Sequence, residues 1–73
     1  MSLTLTEPHA AASLAPREEE ALRHIAAGRT YLQTARHMGL SKHTVDAYLR
    51  RIRAKLNAHT TADLTRLAIT MGI

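Results

Sequence analysis

The stretch SKHTVDAYLRRIRAKLN, residues 41–57, decides the fold of this chain. Val45, Leu49, Ile52 and Leu56 recur at i, i+4, i+7 and i+11, which is one apolar stripe along a helix. His43, Ala47, Arg50 and Ala54 fall on the opposite side, flanked by Asp46 and Arg51. Ser41 stands where an N-cap is wanted, and Asn57 stands where a left-handed residue closes a helix. The spacing predicts a helix from about Ser41 to Leu56 with one buried face and one polar, cationic face lined by small alanines. Such a face can approach another surface closely.

Working outward, Met38-Gly39-Leu40-Ser41 is a short link with a glycine placed for a sharp turn. Before it, Thr30 is an N-cap with Gln33 three residues on as its capping-box partner, so a second helix runs through Ala35 to about Met38. Two short helices joined by three or four residues containing Gly form a helix-turn-helix. Further back, Pro16 suits the first position of a helix. Glu18, Glu19 and Glu20 follow near the positive end of its dipole, Leu22, Ile25 and Ala26 give its apolar stripe, and Gly28 ends it. Downstream, Thr60 or Thr61 caps a fourth helix with Asp63 in its first turn and a stripe of Leu64, Leu67, Ala68 and Met71. The expected fold class is therefore all-α, a four-helix bundle containing a helix-turn-helix. Residues 1–13 lack sustained periodicity and are expected to be a flexible tail or linker, with residues 14–73 as the one domain.

Composition narrows the function. A chain of 73 residues forms a single domain, and at this size only about 60% of the unfolded surface is buried, which leaves little room for a catalytic cleft. There is no Cys, Phe or Trp, so disulfides and thiolate-held zinc are excluded. No apolar run approaches the roughly 18 residues of a membrane span. Met1–Leu14 has neither a basic start nor a continuous apolar core, unlike a signal peptide. A cytoplasmic location follows as the expectation. The five histidines (His9, His24, His37, His43, His59) never stand at i, i+4 with an acid between them, so no metal ligand set is expected. The three consecutive glutamates are explained by the helix N-terminus, and no phosphate loop or nucleophile elbow is present. Neither an enzyme nor a cofactor is expected.

The net charge is +4 with a sequence pI near 10.4, which favours polyanionic partners. Its placement matters more. Five of the ten Lys and Arg residues lie between Lys42 and Lys55, with Asp46 as the one acid among them, while four of the six acids lie in the first twenty residues. Affinity for duplex DNA comes largely from cations that neutralise phosphates, and base edges are read in the major groove, which admits one helix. The third helix offers both. Arg50 is placed to grip guanine, Ala47 to touch a thymine methyl, and Asp46 to accept from cytosine N4. Lys42 or His43 can reach a phosphate, as can the Ser41 hydroxyl and the helix N-terminus. A carboxylate facing DNA repels phosphate unless it pairs with Arg50, four residues on, or meets a cytosine. Lys55 lies at the edge of the buried stripe, where a structural role is open to it. So is an ion pair between Arg17 and Glu18.

From Leu14 to Ala68 the sequence resembles the LuxR-type (NarL/FixJ, GerE-like) DNA-binding domain of bacterial transcription regulators. The resemblance is carried by Leu14, Pro16-Arg17-Glu18, Glu20, Leu22, Gly28, Ala35, Ser41, Thr44-Val45, Ile52, Lys55-Leu56 and Ala62-Asp63-Leu64. It implies a four-helix bundle whose third helix is the recognition helix, acting as the output domain of a regulator. It also implies base contacts from Asp46, Ala47 and Arg50. Backbone contacts would come from Ser41, Lys42, His43, Thr44, Tyr48 and Arg51, with Thr44 and Val45 also serving as helix-start and packing residues. Double-stranded DNA is then the partner. A homodimer through helix 4 is implied too. Its stripe of Leu64, Leu67, Ala68 and Met71 is open to a core role, a dimer interface or both; in so small a core Leu64 and Leu67 are expected mostly inside, with Met71, Ile69 and Ile73 as the exposed apolar candidates. Such domains are usually coupled to an N-terminal receiver or ligand-binding domain. The sequence departs from the family pattern at Asp46 (commonly basic), Tyr48 (commonly His), Thr34 (usually Ile) and Ala15 (usually a capping Thr). These departures bear on which operator is read.

Overall fold

Each helix boundary follows from a local backbone requirement. The structure is a computed structural model that describes residues 14–73; the expected tail lies outside the described residues. It contains α1 Pro16–Ala26, α2 Tyr31–Met38, α3 Lys42–Leu56 and α4 Thr61–Thr70, and no strand among the described residues. Pro16 opens α1, where its missing N–H costs nothing. Past Ala26 the chain reverses through Gly28 at φ +95°, with Gly28 N–H donating to Ile25 and Arg29 N–H to His24. That pair of bonds is a Schellman closure, and it takes up carbonyls the helix leaves open. Thr30 and Gln33 cap one another reciprocally at the start of α2. Ser41 Oγ accepts from the Thr44 N–H, and Thr60 Oγ1 from the Asp63 N–H.

The turn of the helix-turn-helix is three residues, Gly39-Leu40-Ser41. Gly39 sits at φ +69°, a conformation in which a Cβ crowds the backbone. Asn57 takes the same left-handed shape at φ 55° and ends α3, as its place in the sequence predicts.

Helix α1 is the hub, packing against α2, α3 and α4, while α2 packs on α3. The core consists of Ala21, Leu22 and Ile25 from α1, Ala35 and Met38 from α2, Val45, Leu49 and Ile52 from α3, Leu64 and Ala68 from α4, and Ala58. Leu56, the last residue of the α3 stripe, is only partly buried at its edge. Of the roles open to the α4 stripe, Leu64 and Ala68 take the core role, and the exposure expected of Ile73 is corrected. Leu64 and Ala68 are wholly enclosed by the protomer, so they have no surface left to offer a second copy. Ile73 packs back on the core, because the chain turns after α4 and its N–H bonds to the Ala68 carbonyl. Leu67 and Met71 remain half-buried, and Ile69 is 70% exposed.

Among the described residues two buried ones are polar, Glu18 and Thr34, and of these only Thr34 lacks a partner. Thr34 is fully buried on α2, and its hydroxyl has no hydrogen-bond partner among the described residues. A buried hydroxyl without a partner forfeits the bonds it made in water, and an apolar group of the same shape avoids that cost. Thr34→Val is therefore expected to raise stability by about 1 kcal/mol, with the melting temperature rising by roughly 4–8 °C for a domain of this size. Thermal unfolding followed by circular dichroism checks this.

Candidate nucleic-acid interface

The buried stripe of α3 fixes which of its residues look outward. With Val45, Leu49 and Ile52 at zero exposure, the opposite side carries His43, Arg50 and Ala54 in the open and Asp46 and Ala47 half-exposed. Arg50 has no hydrogen bond or ion pair among the described residues, so its five donors are available to a ligand. Ser41 Oγ and Thr44 Oγ1 lie 2.9 Å apart at the start of the helix, beside N–H groups that have no partner within the helix. The base-facing trio expected from the sequence, Asp46, Ala47 and Arg50, thus shares one side of α3 with Lys42 and His43.

The five cations between Lys42 and Lys55 divide by role. Lys55 Nζ donates to Glu18 Oε1 at 2.7 Å, and Arg51 Nε donates to Glu18 Oε2 at 3.1 Å. Glu18 itself is 4% exposed, and its Oε1 also accepts from the Ala15 N–H at 3.0 Å. Ala15 has no side-chain oxygen to cap α1, so Glu18 supplies the cap from the third helical position. Burial works against ionising this carboxyl. The bonds from Lys55, the Ala15 N–H and Arg51 outweigh that and hold it below the ordinary carboxylate range.

Arg53 points away from the outer face and donates to the Tyr31 hydroxyl of α2, with its guanidinium 5.8 Å from the ring centroid. Arg51 keeps about half its side chain exposed and lies 5.1 Å over the Tyr48 ring. Lys42 pairs with Asp46 at 3.3 Å, so the acid of the outer face is held by the residue one turn before it and not by Arg50. Arg50 is the cation left over.

Other expectations resolve in the same way. Arg17 does not pair with Glu18; it binds Glu20 at 2.8 Å and donates to the Met38 carbonyl at 3.0 Å, tying α1 to the turn before α3. His24 of α1 stacks on His37 of α2, with centroids 5.2 Å apart. Burial first, then the nearby Arg29 and His37, lowers the pKa of His24. Among the described residues no group of three or more His, Cys, Asp or Glu is placed to hold a metal. Sequence reasoning missed the Glu18 clamp and the Tyr31–Arg53 contact. The available signal was the position of Lys55 and Arg53 on the flanks of the apolar stripe.

Fold and face together define a helix-turn-helix DNA-binding domain. Residues 12–68 match the family described as bacterial regulatory proteins, luxR family. The chain is 36% identical over 61 residues to nodulation protein W of Bradyrhizobium diazoefficiens, covering 84% of this chain and 27% of that protein. It is 32% identical over 62 residues to the transcriptional regulatory protein FixJ of the same organism, covering 85% and 30%. With the response regulator UvrY of Escherichia coli the identity is 35% over 77 residues, covering 100% and 35%. The chain therefore spans about a third or less of the length of these relatives. No solved structure gives a significant match. The chain belongs to the luxR family of bacterial regulatory proteins.

The Glu18 clamp has a measurable signature. Its folded pKa lies below its ordinary value of 4.5, so its ionised form stabilises the fold above that pH. The contribution is lost as pH falls through the depressed folded value. Glu18→Gln, which keeps the shape and removes the charge, is expected to cost about 1–3 kcal/mol at neutral pH. It should also make stability less dependent on pH on the acid side. Urea unfolding at pH 7 and below pH 4.5 checks both; equal stabilities for parent and variant at pH 7 would refute the clamp.

Proposed function

We propose that the chain is the sequence-specific, double-stranded-DNA-binding output domain of a bacterial transcription regulator, and that it acts by placing α3 in the major groove. The observation that carries this reading is the division of α3. Its inner stripe is locked into the core, while its outer side presents an unpartnered Arg50, a half-exposed Ala47 and Asp46, and a capped N-terminus. Arg50 suits the O6 and N7 acceptors of guanine, and Ala47 the methyl of thymine. Ser41, Lys42, His43, Thr44, Tyr48 and Arg51 surround them as phosphate contacts. These set the register of the helix on the duplex without reading sequence.

The working unit on DNA is a homodimer through α4. The surface that remains for it is Ile69, with the half-buried Leu67 and Met71 beside it. A large apolar side chain as open as Ile69 marks an association surface when its neighbours extend the patch. The domain serves a longer regulator whose N-terminal receiver or ligand-binding domain supplies the signal, as the length of its relatives supports, and it works in the cytoplasm. No helix among the described residues is long and apolar enough to cross a membrane.

A binding titration in which both salt and sequence are varied tests this. Groove binding through several phosphates is expected to weaken steeply as salt rises from low to moderate. Arg50→Ala is expected to lose about 1–3 kcal/mol on the specific site and to relax the preference at one base pair. Sedimentation of the same samples is expected to show two protomers per site. If Arg50→Ala binds the selected site as tightly as the parent, the outer face has been misassigned, and a strict monomer on DNA contradicts the dimer.

A further inference from the structure

The outer face of α3 carries one acid, and the pairing it makes is unexpected. Asp46 lies between Lys42 and Arg50, four residues from each. An acid placed before its base along a helix is the better arrangement of an i, i+4 pair, which favours Arg50. The structure has the other pairing, Lys42 Nζ to Asp46 Oδ2 at 3.3 Å, with Lys42 57% and Asp46 31% exposed. Arg50 is left without a partner among the described residues. Along one side of the helix, then, stand a lysine at the N-terminal turn, a carboxylate one turn on and an open guanidinium one turn beyond that. An exposed pair of this kind is worth little, because water and salt screen it. It does not by itself account for a carboxylate on a face that approaches a polyanion.

Resting on the groove-reading role proposed above, we infer that Asp46 is a specificity filter for cytosine, with Lys42 as the counter-ion that covers it until a base replaces it. When the helix enters the groove, a backbone phosphate competes for the Lys42 ammonium, and the Asp46 carboxylate is uncovered against the base edges. Cytosine presents an N4 amino donor there, which the carboxylate accepts. Guanine presents O6 and N7, and thymine presents O4, all of them acceptors that repel it. Adenine presents an N6 donor beside the N7 acceptor, so one carboxylate oxygen is satisfied and the other is repelled. The order of preference is cytosine, then adenine, with guanine and thymine rejected. Arg50, one turn away, supplies the opposite chemistry by donating to a guanine. The acid lowers affinity for DNA in general and lowers it least where the cytosine stands. Specificity of this kind rests on penalising the wrong partner as well as rewarding the right one.

Selection of bound duplexes from a random pool, carried out with the full chain, Asp46→Ala, Asp46→Asn and Arg50→Ala, tests the assignment. Circular dichroism confirms that each variant is folded. The parent is expected to select cytosine at one position of its site by about tenfold or more over guanine and thymine. Asp46→Ala is expected to lose that preference while binding unrelated duplexes a few-fold more tightly, since a charge that repels phosphate is gone. Asp46→Asn is expected to move the preference toward adenine, whose N6 and N7 an amide meets with both a donor and an acceptor. If Asp46→Ala and Asp46→Asn select the parent's sequence unchanged while Arg50→Ala alters it, the role given to Asp46 is wrong and the groove reading stands. If the parent enriches no sequence at all, the groove reading fails and this inference with it.

Discussion

Glu18 has surrendered almost all contact with water on the first turn of α1, and three donors replace that water: the Ala15 N–H, Arg51 and Lys55. A carboxylate in that position is costly unless its partners are well placed. Here one partner starts its own helix and two belong to the last turns of the recognition helix. The same side chain therefore caps α1 and fixes how α3 lies across it. Arg17 adds a second tie from the same turn of α1 to the carbonyl of Met38, at the point where the chain bends toward α3. Polar contacts at one end of α1 thus orient the helix-turn-helix, and the apolar seam provides the bulk of the cohesion.

That division of labour suits a small domain. Among the described residues a core of eleven apolar side chains with no aromatic supplies cohesion, but aliphatic packing tolerates sliding more readily than hydrogen bonds do. Hydrogen bonds to a buried charge are directional, so they define the angle at which α3 presents its outer side. The cations of α3 are divided accordingly. Lys55 and Arg53 face inward to Glu18 and Tyr31, Arg51 is shared between Glu18 and solvent, and Lys42 covers Asp46. The resulting face carries much less free positive charge than the basic run in the sequence implies, and Arg50 is its concentrated point.

What could be read from the sequence was whatever is governed by neighbours along the chain. Thr30, Ser41, Gly39 and Asn57 announced their helix ends because capping and left-handed closure depend on a few adjacent residues. The stripe Val45, Leu49, Ile52 announced the inner face of α3 through its period. The Glu18 clamp was hidden because its partners stand 33 and 37 residues away, and nothing local distinguishes Glu18 from Glu19 and Glu20. The partner of Asp46 was missed for a different reason: Arg50 stands four residues after it in the favoured order, and Lys42, four residues before it, takes the pairing instead. The α4 stripe stayed open in the sequence, since Leu64 and Ala68 have the period of an interface and of a core alike. In a domain this small the core claims them.

The central claim is that α3 is held by its inner side so that its outer side can meet a duplex. Backbone amide chemical shifts of the labelled chain, recorded as duplex DNA containing its selected site is added, test this most directly. The account predicts that the largest changes fall on residues 41–51, centred on Asp46, Ala47 and Arg50, with changes around Ile69 confined to what dimer formation brings. Changes centred on α1 or α4, with residues 41–51 unmoved at saturating DNA, would contradict it.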